Sequence, residues 1–235
     1  MNKKRVLAML LAGALCAGMT GCGSAGSNGS SNGESSASGD KYNVSVILKT
    51  LSAEYWQYVK SGAEAYAKEN PDVVSVDVKG PSSETAFDEM QNMIETDLSS
   101  GTYDGIVISP LQSDTAAQLV RGTKLPIVAV DTVFEAPEVV SFVGTGNEAA
   151  AKKGAIAAVE AAKENGWDTI KAIEIAGVQG DETCAARMRG YEAGVNEAGG
   201  EFLSSEVQYA DATADRATTA MEAIMQTHPE GIAII

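Results

Sequence analysis

Short β-branched runs alternate with longer helical stretches from residue 42 onward, and this rhythm restricts the fold more than any other feature. The runs are NVSVIL (43–48), VVSVDV (73–78), GIVIS (105–109), PIVAV (126–130), VVSFV (139–143), IKAIEIA (170–176), FLSSEVQY (202–209) and GIAII (231–235). Helical segments are expected at 54–69, 83–99, 113–121, 147–165, 183–198 and 213–227. Ser82 or Ser83 is expected to cap the second, and Asp114 to favour the first turn of the third. Pro71 and Gly166 stop the first and fourth. Strands joined through helices give parallel pairing with both sheet faces covered. The expected class is therefore α/β, with doubly wound parallel sheets.

The rhythm breaks once. Between the runs at 126–130 and 139–143 stands DTVFEAPE (131–138), too short and too irregular for a crossover helix. The break suggests a domain transition near 143–146, giving one α/β domain at 41–145 and a second at 146–235. The last run carries no capping helix, so the second domain is expected to be incomplete.

Residues 1–21 read as a secretory signal peptide: Lys3, Lys4 and Arg5 form a basic head, and an apolar stretch follows from Val6 to Met19. The stretch is short for a membrane span. MTGC, ending at Cys22, resembles a bacterial lipobox, so Cys22 is the expected lipidation site; simple secretion with cleavage nearby is the alternative. Residues 22–40 are rich in Gly, Ser and Asn and form a flexible tether. Lipid, tether and folded body together describe an extracytoplasmic protein held at a membrane surface.

The formal charge is −15 even with the basic head included, a balance that repels phosphate backbones and argues against a nucleic-acid partner. Beyond Cys22 the sequence has only Cys184, so an intrachain disulfide is not expected. A single histidine, His228, stands at a helix end where it complements the dipole. Neither a nucleophile with its base nor a carboxylate set at metal spacing is present in the sequence, so no catalytic, metal or cofactor site is assigned. GTGNEA (144–149) fits the dinucleotide pattern G-x-G-x-x-A, but a single hit in a Gly-rich α/β chain is weak, and these glycines read as an interdomain turn.

In parallel α/β sheets, ligands sit beyond the carboxyl ends of the strands. The residues found there are 49–56, Ser109 and Pro110, Asp131 and Thr132, 144–147, 177–189, and Ala210 with Asp211. Asp131 either caps a turn or accepts hydrogen bonds from a ligand. Arg187 and Arg189, near a helix start, either form a solvated face or hold hydroxyls or a carboxylate with their donor forks. Tyr55 and Trp56 either anchor the first helix to the sheet or offer aromatic planes to sugar C–H faces, and the spacing allows one of each. Tyr58 is assigned to helix packing.

These pieces, taken in order, resemble the periplasmic sugar-binding proteins of ABC importers, of the ribose-binding type. The resemblance rests on VSVILKTLSAEYWQYVKSGAEAYAKE, YDGIVISPLQSDT, LPIVAVD and ARMRGY. It implies the type 1 periplasmic binding protein fold, two domains hinged about a cleft that captures a small-molecule sugar. It also implies a permease and an ATPase as partners, and binding without chemistry. Carried over by position, Tyr55 and Trp56 match the aromatic pair around the sugar ring, and Asp131 the carboxylate that accepts from its hydroxyls. Arg187 matches the Arg of R-x-x-G, with Arg189 the alternative. Ser109 stands where the family often carries Asn, and Asn147 matches the Asn that opens the second domain. Ala53 and Glu54 replace a frequent Asn-Pro, Thr132 a frequent Arg, and Ala212 a frequent aromatic. A sugar sensor addressing a chemoreceptor or kinase is the alternative function. An exported carbohydrate-active enzyme and a transcriptional repressor of the same core fold fit the residues less well.

Overall fold

The computed structural model describes residues 41–235; the expected signal peptide at 1–21, the expected lipidation site Cys22 and the expected tether at 22–40 lie outside the described residues. β1 (Tyr42–Ile47), β2 (Val74–Lys79), β3 (Gly105–Ile108), β4 (Ile127–Val130) and β5 (Val139–Val143) form one parallel sheet in the order β2-β1-β3-β4-β5. Period-2 alternation along β1 splits its side chains between two cores. Val46 and Leu48 pack with Trp56 of α1 (Glu54–Glu69). Ile47 faces the other way, into a cluster with Met90 and Ile94 of α2 (Phe87–Ser100) and Ala116 of α3 (Ser113–Leu119). Both faces are covered, as the alternating pattern expects.

α2 begins later than the sequence suggests. Ala86, not Ser82 or Ser83, occupies the cap position and makes no side-chain cap bond. Glu89 in the first turn reaches back instead, accepting from Ser82 N at 2.7 Å and Ser82 Oγ at 2.8 Å, which holds the preceding residues in a turn. Those two bonds also draw the Glu89 carboxyl below its ordinary range. Asp114 lies in the first turn of α3, as expected. Tyr58 departs from its packing assignment: it is exposed, and its hydroxyl donates to Glu54 at 2.6 Å along the helix surface.

The 131–138 segment joins β4 to β5 without a helix, yet the two strands are parallel neighbours. The loop manages this by burying Phe134 in the core shared with Ile106 and Ile127. A register shift between Ile127 and Val128 leaves Val140 exposed on the edge strand.

The second half carries α4 (Asn147–Glu164), α5 (Glu182–Glu197) and α6 (Ala214–Thr227). Gly190 and Gly194 of α5 lie against the α4 backbone, where a Cβ at either position would overlap the carbonyl oxygens of Glu148 and Lys152. The core there gathers Val159, Ala172 and Val195.

Its strands are more broken than the sequence suggests. Run 170–176 gives β6 (Lys171–Ala172) and β7 (Ile175–Ala176); run 202–209 gives β8 (Glu201–Phe202), a 3-10 turn (Ser204–Glu206) and β9 (Gln208–Tyr209). The reason lies in the ladder. Leu203 N bonds Ala172 O and Gln208 N bonds Glu174 O, so one strand advances five residues while its partner advances two. The surplus loops out as the 3-10 turn. Run 231–235 contributes a single parallel bridge, Ile234 to Ala172.

Candidate functional site

The strand order runs one way from β1 to β2 and the other way from β1 through β3 to β5, which places the switch point between β1 and β3. Ligand crevices of open α/β sheets form beside such a point, at the carboxyl ends of the strands. Lys49 and Thr50 follow β1 there, Ser109 follows β3, and Asp131 with Thr132 follows β4. The start of α5 comes against the same edge.

Of the aromatic pair, Trp56 is the buried member at 4% exposure and Tyr55 the open one at 55%. Their rings meet edge to face, centroids 4.8 Å apart. Trp56 Nε1 donates to Glu84 Oε1 at 3.0 Å, which satisfies its polar atom while the ring packs on Val46 and Leu48. The Tyr55 hydroxyl donates to Asp131 Oδ1 at 2.9 Å. Partial burial, then that bond and the Asp131 charge, push the hydroxyl above its ordinary value; the nearby Arg187 guanidinium opposes the rise.

Asp131 holds a left-handed backbone, φ 61°. Among the described residues only Asp211 and Ala212 share this without being glycine, and they too follow a strand, β9. Such conformations gather at functional sites. Ser109 is fully buried and its Oγ has no hydrogen-bond partner.

Asn147 opens α4 and accepts from Arg187 Nε at 2.9 Å. Arg189, two residues on, is engaged elsewhere: its Nε meets Glu148 at 3.1 Å and its terminal nitrogen meets Glu182 at 2.6 Å. Burial raises the Glu174 carboxyl, Arg187 draws it back, and Glu174 Oε2 is buried without a partner. A cavity of about 630 Å³ is lined by Asp131, Phe142, Asn147, Glu148, Thr183 and Arg189, among others. The structure thus gathers Asp131, Asn147 and Arg189 around one cavity. Tyr55 and Arg187 stand beside Asp131 and Asn147 through hydrogen bonds, and Trp56 and Ser109 are buried.

Three residues to which the sequence reading assigns no role, Lys49, Asp181 and Thr183, complete the site together with Thr132. Lys49 Nζ meets Asp181 Oδ2 at 2.5 Å with both side chains buried. Asp181 is the N-cap of α5, its Oδ1 accepting from Thr183 N at 2.9 Å. Thr183 Oγ1 lies 2.9 Å from Thr132 Oγ1, which in turn lies 3.1 Å from Asp131 Oδ2. A carboxylate only accepts, so Thr132 gives its proton to Asp131 and Thr183 donates to Thr132. The result is one polar chain from Lys49 through Asp181, Thr183, Thr132 and Asp131 to Tyr55. All four residues lie within the strand-end segments, but their mutual contacts span the chain.

The periplasmic binding protein domain family model matches residues 44–235. A D-ribose/D-allose-binding protein of Pseudomonas aeruginosa is 26% identical over 203 residues, covering 81% of this chain and 60% of that protein. The D-allose-binding periplasmic protein of Escherichia coli is 37% identical over 120 residues, covering 47% of this chain and 38% of the relative. A carbohydrate transporter solute-binding protein from Agrobacterium radiobacter, solved in complex with D-arabinose, superposes with a TM-score of 0.70 at 22% identity, covering 83% of this chain and 65% of that one. At such identity the structural likeness establishes the fold, and the chain spans less than two thirds of these relatives. With the family model matching nearly all of the described residues, the chain belongs to the periplasmic binding protein domain family.

Proposed function

We propose that this protein captures a small sugar in the crevice between the carboxyl edge of the five-stranded sheet and the starts of α4 and α5, and delivers it to the permease of an ABC importer. The observation that carries the reading is the exposed Tyr55 ring hydrogen-bonded to Asp131, with Arg187 beside it on Asn147. An aromatic face supplies area to a sugar ring, while carboxylate and guanidinium accept from and donate to its hydroxyls. Relatives carrying sugar names support the same reading.

In this reading Tyr55, Asp131, Asn147 and Arg187 contact the ligand. Trp56 and Ser109 support them from below, and Arg189 closes one side of the cavity. Two lobes, 41–145 and 146–235, close over the sugar, and the closed form is what the permease recognises. Cys22 carries the lipid that holds the protein outside the cell membrane, with 22–40 as its tether. Function is binding, with no bond made or broken.

Isothermal titration of the mature chain with a panel including D-allose, D-ribose and D-arabinose tests the proposal. Saturable heat with at least one sugar, lost in Asp131→Ala, is expected. Absence of heat across the panel, or turnover of a sugar, would overturn it.

A further inference from the structure

The polar chain that crosses the site begins with a full ion pair, and this pair bears on the kind of sugar accepted. Lys49 stands directly past β1 at the switch point, and its ammonium, 3% exposed as a residue, is spent on Asp181. Of the other charges along the crevice, Arg187 donates to the neutral Asn147 and its charge draws on the half-buried Glu174 carboxyl. Arg189 is held by Glu148 and Glu182, and Asp131 takes hydrogen bonds from Tyr55 and Thr132. Among the described residues the Thr183 amide and the Cys184 thiol, the latter at 3.6 Å, also donate to the Asp181 carboxylate, and neither is ionic. Asp181 therefore does two jobs with different oxygens: Oδ1 caps α5, and Oδ2 cancels Lys49.

We propose that Asp181 determines specificity, its carboxylate neutralising Lys49 so that the site takes an uncharged sugar and rejects sugar acids. The inference rests on the sugar-binding reading above. Without that carboxylate, a buried ammonium past the carboxyl end of β1 would seek an anion, and a ligand carboxylate is the one a sugar can supply.

Asp181→Asn is the test, because Asn caps helices as well as Asp does and the first job survives. Titrations with D-allose, D-ribose and D-glucuronate should show the wild-type chain binding a neutral sugar in preference to the uronate. Asp181→Asn should shift the ratio toward D-glucuronate by at least about tenfold, with affinity that weakens as salt rises. Adding Lys49→Met to Asp181→Asn should abolish the gain. A second variant reads the pair from its other side: Lys49→Met alone leaves the carboxylate and should shift preference toward D-glucosamine. Neutral-sugar binding with unchanged ratios in both single variants would overturn the inference alone. No binding of any sugar by the wild type would overturn the sugar-binding reading as well.

Discussion

Lys49 Nζ and Asp181 Oδ2 meet at 2.5 Å inside the fold, 132 residues apart in the chain, and tie the carboxyl end of β1 to the N-cap of α5. Removing one partner strands a buried charge, so Lys49→Met should destabilise the protein by about 3–5 kcal/mol. The double variant Lys49→Met/Asp181→Asn should lose clearly less, because no charge is left uncompensated. Urea denaturation of the four proteins in the cycle measures the coupling; equal losses in the single and double variants would show that the pair contributes nothing.

Neighbouring aromatics should separate stability from binding. Trp56, packed on Val46 and Leu48, should cost about 3–5 kcal/mol on conversion to Ala. Tyr55→Phe removes only an exposed hydroxyl and its bond to Asp131, so stability should fall by no more than about 1 kcal/mol. Sugar affinity should nonetheless drop in Tyr55→Phe, read by titration against thermal unfolding of the same samples. A Trp56→Ala protein as stable as the wild type would refute the packing argument.

A second polar network holds α2 to the sheet. Asp97, 2% exposed, accepts from Ser45 Oγ at 2.5 Å and from Lys79 Nζ at 2.8 Å, and Lys79 also reaches Asp77 and the Tyr103 hydroxyl. Burial alone would lower the Lys79 ammonium, but the bonds to Asp97, Tyr103 and Asp77 outweigh it and hold the group well above its ordinary value. Asp97→Ala leaves Ser45 Oγ without its acceptor and Lys79 with only Asp77 and the Tyr103 hydroxyl, and should cost about 3 kcal/mol in chemical denaturation, with sugar affinity unchanged.

His228 should make stability depend on pH. Its Nε2 lies 2.6 Å from Glu206 on the 3-10 turn and its Nδ1 3.5 Å from Glu230. The bond to Glu206 raises the imidazole above its ordinary 6.5, burial opposing and Glu230 adding to the rise. A group raised on folding stabilises fully below its unfolded value, and that contribution is lost as pH climbs through the folded one. The Tm difference between wild type and His228→Gln should therefore be larger below the ordinary imidazole value than above the raised folded one, fading as pH climbs between them. A difference independent of pH would remove the titration from the explanation.

The first sheet was legible because its strands obey a local rule: runs such as 43–48 and 105–109 are rich in β-branched apolar residues, and the helices between them supply the crossovers. The second half was less so. Its strands break where one side must absorb three surplus residues, a mismatch that exists only once 170–176 and 202–209 are paired. At the candidate site, the strand-end rule nominated Asp131 and both arginines. It could not say which of Tyr55 and Trp56 would be covered, since both sit in the first turn of α1. Lys49 stood in the strand-end segment without a role for a similar reason: a lysine after an apolar run looks like a strand terminus meeting water until Asp181 arrives from the far side of the chain.

The left-handed backbone at Asp131 has a consequence for how this chain can change. Holding a non-glycine residue there costs about 1–3 kcal/mol, whereas glycine would adopt the conformation freely and lose about 0.4–1 kcal/mol through a more mobile unfolded chain. Drift under selection for stability alone would thus tend toward glycine at this position. The aspartate at this position therefore gives up stability to hold one carboxylate against Tyr55.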